Sequence, residues 1–296
     1  MSERAAGSIY DLGYRRYSGA RLGRRHAVVA LYVHGLRAAF GLGRRTRSKI
    51  FPISLAIIAA IPAIVQIAIA SIVNTDDLEV FEAEEYYSYV QIVLALFAAA
   101  VAPELLGRDQ RHQTLSLYFS RALSRYDYAL SRFAAMATAL LALTLLPQAL
   151  LFFGNALAVD EFGGYFRREW DQIGPIILSG LLVSLFIAAI ATTIAAQTPR
   201  RAFATIGIVV PFILLAPIAA LLVETLDGAR AGIFVSPFHV MNGFTFWFFN
   251  FFNATPDAGG NLAQADFHGS LYAIVALAVT AIGVALLLRR YERLSS

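Results

Sequence analysis

Chemistry in this chain would have to come from five histidines, 20 carboxylates and a single lysine, Lys49, because the sequence holds no cysteine. Disulfides, thiolate metal sites and cysteine nucleophiles are therefore excluded. His26, His34, His112, His239 and His268 fall in four separate segments, with no H-E-x-x-H pair and no spacing that would close a metal cage. No glycine-rich loop precedes the lysine, so the chain lacks G-x-x-x-x-G-K-[ST] and is not expected to hydrolyse nucleotides alone. Ser179-Gly180 could suggest an intramembrane serine nucleophile. Leucines flank it, however, and no histidine lies in an apolar run to act as base, so it reads as a small pair for helix packing. The sequence offers no catalytic residue, no metal ligand and no cofactor site.

The remaining composition points to a bilayer. Of 296 residues, 58% are hydrophobic and 15% charged, against about 25% charged in soluble domains, and the mean hydropathy is +0.63. A soluble globular enzyme does not fit that balance. A crossing needs roughly 20 mostly apolar residues. Six runs meet it: Phe51 to Val73, Tyr86 to Glu104, Ala129 to Asn155, Ile173 to Gln197, Ala202 to Val223 and Leu271 to Leu288. Glu104 and Glu224 close the ends of two of them, and Gln66, Gln91, Gln148 and Asn155 are the other polar groups of note. Proton- or sodium-coupled carriers need charged relays at mid-membrane, and their absence argues against that class.

Arginine placement sets the orientation. Residues 1–49 hold 11 of the 24 basic side chains. Arg108, Arg111, Arg121, Arg125 and Arg132 follow span two, and Arg200, Arg201, Arg289, Arg290 and Arg293 fall on the same side. The opposite side carries Arg167, Arg168 and Arg230, with Asp76, Asp77, Glu79, Glu82, Glu84 and Glu85 in its first loop. Six spans with both termini cytoplasmic satisfy every loop. A seventh crossing through 232–254 would move the last three arginines outside, and Pro237, His239, Asn242, Gly243 and Asn250 suit hydrocarbon poorly. Its phenylalanines and Trp247 favour an interface, so the segment reads as outer re-entrant helices sheltered by protein. The first apolar run comes too late and is too long for a signal peptide, so the N-terminus is expected to be retained. Val29, Val33, Leu36 and Phe40, beside His26, His34 and Arg37, form the stripe of a helix lying in the membrane interface with arginines toward anionic headgroups. That accounts for the net charge of +4 without nucleic acid, which is not expected as a partner. The expected fold is an all-α integral membrane protein: a cytoplasmic segment 1–49 with an interfacial helix, then a six-helix domain 50–296 with a basic loop at 105–128.

That loop, P-E-L-L-G-R-D-Q-R-H-Q-T-L-S-L-Y-F-S-R-A-L-S-R-Y-D-Y-A-L-S-R-F over 103–133, resembles the ABC-2 family of ABC-transporter permeases. There an acid ends span two, a basic segment follows, and a Gly-Thr-Leu-type turn leads into a short helix ending in Ser-Arg-Pro-x-Ser-Arg. Here Glu104 matches the acid, Thr114 and Leu115 the turn, and Ser120, Arg121, Leu123, Ser124 and Arg125 the helix end. Gln113 stands where glycine is usual and Ala122 where proline is usual. The opening Tyr10-Asp11-Leu12-Gly13-Tyr14-Arg15-Arg16-Tyr17 with Arg21-Leu22-Gly23-Arg24 looks like actinobacterial members.

The resemblance implies a bacterial inner-membrane permease subunit that pairs with a second permease, a copy or a homologue, and with two ATP-binding subunits. ATP and magnesium would sit on those partners, with no cofactor on this chain. The loop would carry the coupling helix that docks on the ATPase, with Arg111, Thr114, Leu115, Leu117, Tyr118, Phe119, Arg121, Leu123 and Arg125 as contacts. Its residue types suit the role, apolar anchors standing beside arginines that pair with carboxylates; they would also suit a loop lying on lipid phosphates. The substrate path would follow the permease interface along spans two and five, with Gln91, Phe97, Pro211 and Phe212 facing it. An apolar lining fits a lipophilic drug, lipid or peptide, so the expected function is export. The alternatives are a self-contained secondary carrier, an integral-membrane enzyme, or an ABC-2-like scaffold that helps assemble another complex.

Overall fold

The computed structural model describes Gly19 and residues 22–43, 47–72, 83–120, 123–158, 162–225, 229–250 and 260–293. The Tyr10–Tyr17 motif, Asp76 to Glu82, Arg121, Ala122, Phe251 and Phe252 lie outside them. The described residues are helical, with no strand among them: α1 (Gly23–Ala39), α2 (Arg47–Ile72), α3 (Tyr86–Ala102), α4 (Arg108–Arg111), α5 (Leu115–Phe119), α6 (Arg125–Ala158), α7 (Phe162–Glu169), α8 (Ile173–Gln197), α9 (Arg201–Thr225), α10 (Pro237–Phe249), α11 (Asn261–Ala265) and α12 (Gly269–Arg293).

Six helical stretches, Lys49–Ile69, Tyr86–Arg111, Arg125–Leu157, Gly163–Gln197, Arg201–Thr225 and Gly269–Arg293, are long and apolar enough to cross a membrane. Their side-chain distribution is that of a multi-pass membrane protein. The inside is built from small residues, such as Ala95, Ala98 and Ala102 on α3 and Ala188, Ala191 and Ala195 on α8. The outside presents large aliphatics, such as Ile57, Ile61 and Ile64 on α2, Ile206, Leu214 and Leu221 on α9, and Ile274, Leu277 and Ile282 on α12. Among lipid tails, burying leucine against leucine gains little, whereas close backbone approach gains dispersion and hydrogen bonds. α3 and α8 are accordingly the inner helices, and α8 packs on α6, α12, α9, α10 and α3.

Prolines inside the spans free backbone carbonyls, and hydroxyls from neighbouring helices take two of them. Pro147 cannot donate to the carbonyl of Leu143, four residues earlier, and the Tyr86 hydroxyl donates there at 3.2 Å while also lying 3.2 Å from the Ala59 carbonyl. Pro103 likewise frees Ala99, and Thr205 Oγ1 donates to that carbonyl at 3.0 Å. The first bond ties α3 to α2 and α6; the second ties it to α9.

Two elements depart from simple hydropathy. Segment 232–254 yields a 3₁₀ turn, Arg230–Val235, and α10, which Ser236 caps by accepting the His239 N–H. At 13 residues, α10 is about 20 Å long and too short for a hydrocarbon core of about 30 Å; it packs on α12, α8 and α9. In α1 the buried face is Leu31, Gly35, Ala38 and Ala39; of the Val29, Val33, Leu36 and Phe40 stripe, Val29 is exposed and the others are half-buried, Leu36 and Phe40 against the core. Gly35 explains the choice. A Cβ there would stand 2.9 Å from the Ala135 Cβ, so the bare backbone lets α1 lie directly against α6.

Candidate functional site

The basic loop folds into a compact brace at one end of the bundle. After α3, Pro103–Gly107 winds as a π turn, then α4, a turn over 112–114 and α5 follow. Within the turn Gln113 has φ +54°, a left-handed conformation that costs an L side chain roughly 1 kcal/mol. Glycine relieves it, so Gln113→Gly is expected to leave the fold intact and raise stability by about 0.5–1 kcal/mol. Gln113→Val should lower it; equal thermal midpoints in detergent would argue against strain at this residue.

Asp109 holds the brace together from both of its ends. Its carbonyl accepts the Thr114 N–H at 3.0 Å and the Thr114 hydroxyl at 3.2 Å, closing the turn. Its carboxylate accepts the Tyr128 hydroxyl at 2.7 Å and pairs with Arg132, which is only 3% exposed. Tyr128 is fully buried under α5, with ring centroids 5.6 Å from Tyr118, 6.1 Å from Phe119 and 5.1 Å from Tyr291 of α12, and the Arg132 guanidinium lies over its face. Gln110 Nε2 donates to the Ala196 carbonyl at the end of α8 and to the Tyr291 hydroxyl, both at 3.1 Å, and Arg290 Nε donates to Ala196 at 3.3 Å. The loop is therefore bonded to the ends of α6, α8 and α12 at once.

The start of α6 carries a second lock. Ser124 and Asp127 form a reciprocal capping box, each side chain accepting the other's N–H at 3.1 and 2.9 Å. Arg24 of α1 lies in a fork across both Asp127 oxygens, at 2.8 and 2.9 Å. The hydrogen bond from Arg24 to that carboxylate and its charge raise the Arg24 pKa above its ordinary value. On the other flank Glu104 pairs with Arg201 at 2.8 Å, joining the π turn to the first residue of α9.

Of the loop residues singled out from sequence, Leu117 is 66% exposed, and Arg111 before it and Arg125 after it in the chain are exposed as well. Arg125 also lies over the Phe119 ring. Leu115, Tyr118 and Phe119 turn inward onto the core, Thr114 is half-buried, and Leu123 is buried. Arg121 lies outside the described residues. Asp109, Gln110, Tyr128 and Tyr291 were not anticipated, and Arg132, counted among the loop arginines, lies inside α6. One signal was available: Asp109 is the single carboxylate between Glu104 and Asp127.

The four path residues are not gathered at one surface. Phe97 and Phe212 are fully buried, their rings tilted against Phe40 and Phe238 at centroid distances of 5.7 and 5.4 Å, while Gln91 and Pro211 are half-buried. The large opening along spans two and five lies elsewhere. A cleft of about 500 Å³ separates the end of α1 and the start of α2 from α3 and α9, walled by Ala38, Ala39, Phe51, Leu96, Ala100 and Val209, with Glu104 and Arg201 at its charged end. No cluster of three metal-binding side chains occurs among the described residues. No family model and no curated protein matches the chain.

Proposed function

We propose that the chain is the membrane-spanning permease subunit of an ABC-2 type ABC transporter, an exporter of a lipophilic compound in a bacterial inner membrane. Energy comes from separate ATP-binding subunits, and a second permease completes the pore. Both termini face the cytoplasm, and the turn at 230–235 with α10 forms the outer re-entrant element. The arginine asymmetry supports that orientation, because Arg24, Arg108, Arg111, Arg201 and Arg290 all lie at the bundle end where α4 and α5 sit.

One observation carries the reading: a short helix presents the exposed Leu117 while α4, just before it, is bonded to α6, α8 and α12. A surface so braced transmits a push to several spans together, which a loop resting on lipid does not require. An exposed apolar anchor on a loop that also exposes Arg111 and Arg125 suits a groove that carries carboxylates. The test is affinity capture of the tagged chain from its native membrane in mild detergent. A stoichiometric soluble ATPase is expected to co-purify. Leu117→Glu should lower its retention by about 30-fold, the effect of a hot-spot residue, in a protein that still inserts and elutes as the parent does. Recovery of the chain without a nucleotide-binding partner overturns the proposal.

A further inference from the structure

The cleft between α2, α3 and α9 has the attributes of a ligand site in its own right. Its volume of about 500 Å³ lies inside the usual range of small-molecule pockets, which are mostly apolar with a few placed polar groups. Alanines create the room: Ala38 and Ala39 on α1 and Ala99 and Ala100 on α3 leave space that larger side chains would fill. Phe51, half exposed at the start of α2, borders it, and Pro52, Leu96, Val101 and Val209 make its wall apolar, which suits hydrocarbon rather than water.

The polar groups are few and lie at one end. The Thr205 hydroxyl is engaged by the Ala99 carbonyl, which leaves the Glu104–Arg201 pair. Glu104 sits in the turn that ends α3 and Arg201 is the first residue of α9, at the level where spans emerge from the bilayer and headgroups lie. A pair of opposite charges selects by sign. An anionic headgroup gains from Arg201 and is repelled by Glu104, a cationic one meets the reverse, and an uncharged oil gains nothing from either. A headgroup carrying both signs satisfies both partners.

From this geometry we infer that the cleft binds a zwitterionic phospholipid of the surrounding bilayer, its ammonium toward Glu104, its phosphate toward Arg201 and its chain along the alanine-lined wall. The inference rests on the membrane-spanning fold and not on the ATP-driven reading. The binding experiment uses the purified full-length chain without any partner, so its failure leaves the transporter proposal standing, and the reverse holds equally.

The experiment is native mass spectrometry of the chain in detergent, titrated with phosphatidylethanolamine, phosphatidylglycerol and diacylglycerol of matched acyl chains. Phosphatidylethanolamine is expected to be retained with a preference of about tenfold over each of the others. Ala100→Trp, which fills the cleft without touching the charges, should abolish the preference. Glu104→Gln should shift it toward phosphatidylglycerol, and the exchanged pair Glu104→Arg with Arg201→Glu should restore it. Equal retention of the three lipids, or an unchanged preference in a folded Ala100→Trp protein, overturns the inference. Because Leu96→Trp blocks the same wall independently, the test survives the loss of any one variant.

Discussion

Asp109→Ala is expected to destabilise the solubilised chain by about 3–5 kcal/mol, because it strands a buried guanidinium rather than merely deleting a contact. Arg132 is 3% exposed, Asp109 supplies its counter-charge, and the Arg132 Nε atom already lacks a partner. The same substitution leaves the Tyr128 hydroxyl without its acceptor in the middle of the aromatic packing under α5. Reversible unfolding followed by detergent titration measures the loss directly. The cause is separable, since Asp109→Leu combined with Arg132→Met removes both charges and should recover most of the deficit. A cost below about 1 kcal/mol for Asp109→Ala would mean that the pair behaves as a solvated surface bridge.

The second large effect concerns Tyr86. Its hydroxyl serves the Leu143 carbonyl that Pro147 leaves without a backbone donor, and it bridges toward Ala59 on α2. Tyr86→Phe keeps the ring and removes the donor, at an expected cost of about 1–3 kcal/mol. Pro147→Ala restores an N–H able to reach Leu143, so the tyrosine change should cost about 1 kcal/mol less in that background. Strict additivity of the two changes would refute the assigned role of the hydroxyl.

Much of the architecture was legible because the bilayer imposes a length and a polarity on each span. Leu271 to Leu288 marks the apolar part of α12, but the helix runs from Gly269 to Arg293. Hydropathy measures the hydrocarbon crossing, and the backbone has no reason to unwind where arginines reach the headgroups. The stripe on α1 was read as lying in the membrane interface and left the face that packs on protein unassigned. Amphipathic stripes point large residues at a core in water, whereas Gly35 and Ala38 make the contact here. Phe97 and Phe212 were named because the resemblance sets the path along spans two and five; both are fully buried rings within the chain, and the cleft beside those spans is lined by Leu96, Ala99 and Ala100 instead. Gln113 was the most informative single residue. Its departure from glycine in the resembling motif coincides with a backbone angle that glycine adopts without strain. The Asp109–Arg132 pair spans 23 positions, and no periodicity reaches across a helix-turn-helix loop to find it.

Gln110 meets Tyr291 across 181 positions of sequence, so the shape of the brace has a consequence in time. While the chain is being made, the first five spans can insert and pack with α4 and α5 still lacking their last partner. Only when α12 arrives do Tyr291 and Arg290 close on Gln110 and Ala196. That end of the bundle therefore acquires its described form only after α12 has been made, and a chain interrupted before α12 presents an unfinished surface.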